Sequence, residues 1–215
     1  MIILKNYFLS QNKLLWLLPI AMLLLSFYIH YEMVMNYQID FFRHTNGQTR
    51  EGILNGELSI YKTNLFMSLL VYISQVVFVI LSLNIGLLLF GYERPFKELS
   101  GLVIKSSPVL ILIYFVSPAT LFLSNDFFSF DALYRIESDF TLLRYVEKDS
   151  SVWLKNVLEM FSLTQLLFVL FLSLGFQYLM NWTYKKSLLW IFKTYGILFM
   201  LWMSFAIIMD LNFYQ

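Results

Sequence analysis

Two histidines and two carboxylates gather in the first polar stretch of the chain: His30, Glu32, Asp40 and His44. Imidazoles and carboxylates are ordinary ligands for zinc and similar ions. The spacing argues otherwise. Nothing resembles His-Glu-x-x-His, and residues two apart on a helix do not share a face, so His30 and Glu32 do not point together. His30 is expected as an interfacial residue with its polar tip in water, and no metal site is expected. A second acidic group, Asp126, Asp131, Glu137 and Asp139, has the right chemistry for general acid–base work. Nothing in the sequence fixes the distances among these carboxylates, and solvated acids have no cause to be tuned. They read as an outward acidic face. The chain has no cysteine, which removes thiolate ligands and thiol nucleophiles together. No basic cluster is longer than Lys185-Lys186, so nucleic acid is not expected as a partner.

The remaining polar residues lie inside long apolar runs. They are Gln75, Ser82 and Asn84 in one run, Ser106, Ser107 and Ser117 in the next, then Thr164, Gln165, Ser173 and Gln177, and finally Thr194 and Ser204. All are uncharged. Ser82-x-x-x-Gly86 is a small-xxx-small step, and Gly175 and Gly196 are further points of close approach. Such residues let helices touch and hydrogen-bond across an interface, typically for about 0.6–2 kcal/mol each. The alternative is a polar path, lined chiefly by Gln75, Ser117 and Gln165. Lys105, Glu159, Lys193 and Asp210 are expected near span ends, where they snorkel or meet water. No ionisable group is expected at mid-membrane, which disfavours an ion-coupled carrier.

The elements that position these residues follow from composition. Hydrophobic residues make up 59% of the chain and charged residues 13%, against about half and a quarter in soluble domains. Runs at 14–31, 65–92, 102–123, 158–181 and 188–211 are each long enough, or nearly so, to cross a hydrocarbon core of about 30 Å. The expected fold is all-α: one integral-membrane domain over 1–215, a bundle of five transmembrane helices, with an amphipathic interfacial segment between the third and fourth. Membrane lipids are its expected solvent.

Basic residues set the orientation. Lys5, Lys13, Arg94, Lys97, Lys105, Lys185, Lys186 and Lys193 fall in the segments 1–13, 93–101 and 182–187 or at adjoining helix ends. Short loops rich in lysine and arginine stay in the cytoplasm, so the N-terminus is expected inside and the C-terminus outside. The first run lacks a small-x-small cleavage site and reads as an uncleaved signal anchor. The outer stretch 32–63 is expected as a polar loop, with a small hairpin at 53–58 turning on Asn55-Gly56. Pro95 and Ser100 mark the start of the third helix, Ser100 as a cap. From Leu133 the apolar positions of the second outer loop step by three and four, which predicts a surface helix. Asp149-Ser-Ser predicts the start of the fourth helix near Ser151. Asn181-Trp-Thr183 matches a glycosylation acceptor but falls on the cytoplasmic side.

The segment Phe96-Lys-Glu-Leu-Ser-Gly-Leu-Val-Ile-Lys-Ser-Ser-Pro108-Val resembles the corresponding stretch of bacterial Yip1-like membrane proteins, where a Phe-Lys-Glu turn leads into a helix opening with small residues and proline. The last two runs are similar too, from Leu163-Thr-Gln-Leu-Leu through Lys185-Lys-Ser-Leu-Leu to Thr194-Tyr-Gly196. Together these cover about half the chain, and a five-span, N-inside layout agrees with that family. Eukaryotic relatives carry a cytosolic N-terminal region and act with small GTPases in vesicle traffic. About a dozen residues precede the first span here, so that role is not carried over, and the resemblance supplies no site residue. The expectation is a non-enzymatic inner-membrane protein without cofactor, an accessory or scaffold that packs against other membrane proteins. The alternative is a permease subunit, which requires a continuous polar stripe or broken helices meeting at mid-membrane.

Overall fold

The computed structural model describes residues 2–10, 14–30, 32, 50–92, 96–124, 136, 139–145 and 151–213. Among them the elements are helical, joined by turns and one isolated β-bridge. The helices are α1 (Ile2–Leu9), α2 (Leu14–His30), α3 (Arg50–Leu89), α4 (Phe96–Ser106), α5 (Pro108–Ile111), α6 (Ile113–Ser124), α7 (Val152–Met160), α8 (Leu163–Met180), α9 (Tyr184–Ile191) and α10 (Ile197–Phe213). A π-helical segment, Phe192–Gly196, joins the last two. Among the described residues three stretches are long and apolar enough to cross a bilayer: Leu69–Leu89, Phe96–Val116 and Leu163–Met180; Leu15–Ile29 is apolar but shorter.

α3 departs most from expectation. It is a single helix of 40 residues, about 60 Å long at 1.5 Å per residue. Residues 50–63 of the expected loop, the predicted hairpin at 53–58 among them, are the N-terminal extension of this helix, and 33–49 of that loop lie outside the described residues. Once the apolar part is helical, each further residue adds a hydrogen bond without a new nucleation cost. Gly52 and Gly56 each cost about 1 kcal/mol there and do not stop it. At its inner end Gly91 takes φ 70°. The Tyr92 N–H reaches Leu87 O at 2.9 Å and the Gly91 N–H reaches Leu88 O at 3.2 Å, the paired bonds of a Schellman stop. The helix therefore ends at Leu89, short of the expected Tyr92.

The third span begins at Phe96, earlier than the expected 102, because Glu98 sits favourably in the first turn of α4. Ser100 is interior to that helix: its hydroxyl donates to Phe96 O at 2.7 Å and caps nothing. The helix is interrupted at Ser107 and Leu112, either side of α5, because Pro108 lacks the N–H that continues it.

The predicted run 158–181 is cut near its start, leaving Leu163–Met180 as the stretch long and apolar enough to cross a bilayer. α7 starts after Ser151, whose side chain makes no cap bond. A new helix then begins at Leu163, where Ser162 accepts the Gln165 N–H at 3.1 Å, the Ser-x-x-Gln pattern of a capping box. A β-bridge pairs Thr141 with Ser162 and clamps this break to the short 3₁₀ turn Leu142–Tyr145. Of the predicted surface helix, most residues lie outside those described, and this end of it is the 3₁₀ turn. The last helix starts at Tyr184 with Thr183 at its cap, ahead of the expected 188. Asn181, at φ 55°, closes α8 in the left-handed conformation.

Ring and glycine contacts fix the sense of each pairing. Trp16 lies under Gly101, and Phe27 stacks with Tyr114 at 6.4 Å, so α2 runs parallel to α4–α6. Phe176 stacks on Trp190 at 4.7 Å, Phe168 meets Tyr195 at 6.4 Å and Phe161 meets Phe199 at 6.0 Å, so α8 and the last helix are antiparallel. Gly86 against Thr194 and Phe78 against Tyr195 make α3 antiparallel to that helix as well.

α1 is helical and packed, where the sequence suggested only a cytoplasmic tail. Its Phe8 is buried against Phe171 at 4.9 Å and Tyr178 at 6.3 Å, within the core cluster that includes Leu102, Leu172 and Phe176.

Candidate functional site

α3 turns one stripe inward: Tyr72, Gln75, Val79, Ser82 and Gly86 recur at the helical period and are buried or half-buried. Met67, Leu70, Val77, Leu81, Ile85 and Leu88 form the exposed opposite face, apolar but for Ser74. The inward stripe carries the polar side chains to three neighbours.

Gln75 and Gln165 meet at the centre. Gln75 Nε2 donates to Gln165 Oε1 at 2.8 Å. Gln165 Nε2 donates to the Tyr195 hydroxyl. Three helices, α3, α8 and the π segment, are thus joined by one chain of neutral groups. The π segment inserts an extra residue into the last helix, and Tyr195 lies on it. Ser162 orients Gln165 from below by capping its helix.

One turn from Gln75, the Tyr72 hydroxyl meets Ser107 Oγ, which donates onward to Ile104 O at 2.7 Å. Tyr72 therefore engages the break before Pro108. Both helix irregularities, the Ser107 break and the π segment, converge on adjacent turns of α3. These amides, phenols and hydroxyls donate and accept hydrogen bonds but carry no charge, so the arrangement suits cohesion or recognition of a neutral polar group.

The other predicted residues are placed differently. Ser82 is buried, yet its hydroxyl returns to Phe78 O at 2.7 Å, and Asn84 returns to Ile80 O at 2.8 Å. Neither bonds across an interface as expected, because a carbonyl one turn back is always within reach of a short side chain. Gly86 is a contact point: a Cβ there would lie 2.8 Å from Thr194 Cβ and 3.3 Å from Trp190 Cζ2. Gln177 sits near the inner end of α8, where its carbonyl takes the Trp182 N–H at 3.1 Å, about three turns from Gln165. Ser117 belongs to α6, and its side chain lies outside the described residues. So do Asp40 and His44; among the described residues no group of three or more potential metal ligands occurs.

Lys105 corrects an expectation. It is the tenth of the 21 residues in Phe96–Val116 and is only 4% exposed. It neither snorkels nor meets water. Its ammonium donates to Phe8 O at 2.9 Å and to Ser10 O, and the Tyr7 hydroxyl donates to Lys105 O at 2.8 Å. A cation on the carbonyls ending a helix is favourable in hydrogen bonding and in dipole. Sequence reasoning missed Lys105, Tyr72 and Tyr195. A lysine inside an apolar run beside two serines, and tyrosines whose polar tip needs a partner when buried, were the available signals.

A second cluster closes the inner end. Trp182 meets Tyr92 at 5.0 Å and Trp190 at 6.1 Å, and Lys186 Nζ stands 4.1 Å from the Trp182 ring.

No family model, curated protein or solved structure matches the chain.

Proposed function

We propose that the protein is a non-enzymatic multipass protein of a bacterial inner membrane, Yip1-like in layout, which serves as an accessory or scaffold component packing against other membrane proteins. Five alternating passes agree with the helix senses, the first and third expected passes running parallel and the fourth opposing the fifth, and the lysine and arginine distribution favours the N-terminus inside and the C-terminus outside. The carrying observation is the chain of Gln75, Gln165 and Tyr195. The polar groups a permease would offer to a solute are spent on one another, and the outward face of α3 over residues 66–89 is apolar but for Ser74. Such a face meets lipid or another helix.

A permease subunit is the second reading. It is favoured by one observation, the convergence of two irregular helices on α3, at Tyr72 and at Phe78, since interrupted helices meeting in mid-membrane mark many transport sites. Single cysteines at Gln75 and Gln165, in a chain with no native thiol, separate the two. The scaffold reading expects both to resist a membrane-impermeant maleimide added from either side. Ready labelling of both from water favours the permease and ends the scaffold reading.

A further inference from the structure

The groove filled by α1 has two walls with opposite demands. One wall is Lys105, the only charged side chain buried among the described residues, bonded to carbonyls of Phe8 and Ser10. The other is an apolar notch at Gly175, where a Cβ would stand 2.8 Å from the Phe8 ring and collide with Leu102. Phe171 and Tyr178 flank it. α1 answers both demands at once: the Phe8 ring, 5% exposed, fills the notch, and the end of its backbone takes the ammonium.

α1 has eight residues, too few to hold a helix in water without help, so docking supplies its order. Carbonyls offer only partial charge. An ionised head makes charge-assisted bonds roughly twice as strong. Water alone would satisfy Lys105 while wetting the notch. An apolar chain alone would fill the notch while leaving the ammonium bare in an apolar bundle, which is costly.

From these demands we propose that the groove beneath α1 is a binding site for a fatty-acid-like carboxylate amphiphile, which takes the place of α1. The carboxylate sits on Lys105, the alkyl chain lies in the Gly175 notch, and α1 undocks. Ligand and helix compete for one surface, so ligand binding and α1 release are linked. The inference stands on the groove alone and does not depend on the scaffold reading.

The reporter is Leu4→Cys, a half-buried position of α1 one turn before Phe8 and on the same face, in protein purified in a neutral dodecyl maltoside micelle. Maleimide labelling is followed near neutral pH with dodecanoate, dodecanol or dodecyltrimethylammonium at equal concentration. Dodecanoate is expected to speed labelling roughly tenfold, the factor corresponding to about 1.4 kcal/mol, while the neutral and cationic amphiphiles leave it unchanged. Adding Lys105→Met is expected to cancel the dodecanoate effect. No effect of dodecanoate, or an equal effect of all three amphiphiles, overturns the proposal. The three-amphiphile comparison keeps Lys105 intact, so it decides the matter even where the Lys105→Met chain misfolds.

Discussion

At the scale of single residues, Gln75, Gln165 and Tyr195 act as one unit, because each amide donor in the chain has its acceptor in another helix. Interhelical hydrogen bonds in membranes average about 0.6 kcal/mol and reach about 1.7. Gln75→Leu and Gln165→Leu are each expected to lower detergent stability by amounts of that order. The double variant is expected to lose less than the sum, since either change alone already removes the bond between the two amides. Strict additivity in equilibrium unfolding would show that the two amides do not interact. Tyr7 makes a separate prediction. Burial raises its phenol above the ordinary 10.0, so the folded state favours the protonated form that donates to Lys105 O. Its stabilising contribution is complete below pH 10.0 and is lost as pH climbs through the higher folded-state value. The melting difference between wild type and Tyr7→Phe is therefore expected to be flat up to that pH and to shrink above it. Gln75, Gln165 and Gly86 were legible because polar and small residues stand out in apolar runs. Tyr72, Tyr195 and Lys105 were not, since a tyrosine or a lysine in such a run reads equally as an interfacial anchor, and only the packing of α1 and α5 shows which way each one points.

The elements show why the boundaries moved while the apolar runs stayed. Hydropathy sets where chain can lie in lipid, but helices continue past that limit until something stops them. α3 runs on to Arg50 because the turn at Asn55-Gly56 has no strand partner among the described residues, and an isolated hairpin is marginal without one. α8 restarts at Leu163 because Ser162 and Gln165 make a cap that outcompetes continuation from α7. The Ser107 break was announced by Pro108, whereas the π segment has no proline or comparable mark in the sequence. Helix packing gives the sharpest test at this scale. Gly86 lets α3 approach Thr194 and Trp190, so Gly86→Leu forces the helices apart and is expected to cost about 1–3 kcal/mol. Leu88, 75% exposed on the opposite face, serves as the control: Leu88→Ile is expected to change the thermal melt little. Equal melting of Gly86→Leu and wild type would mean that α3 and the last helix do not meet there.

For the whole molecule, the claim on which the others depend is the alternation of passes. Gly86 against Thr194 and Tyr92 against Trp182 bring the end of α3 and the start of α9 to one end of the bundle, so the proposed layout puts the segments before Phe96 and before Tyr184 on the same side of the membrane. Under that proposal the α1 groove lies in the cytoplasmic half and residues 50–68 of α3 on the outer side. Lysine and arginine distribution alone assigns that side as the cytoplasm. The direct measurement is topology mapping with paired reporters active only inside or only outside, fused at Lys97, Lys185, Asp139 and Gln215. Lys97 and Lys185 are expected to read cytoplasmic, and Asp139 and Gln215 external. An external reading at Lys97, or opposite readings at Lys97 and Lys185, would contradict the account.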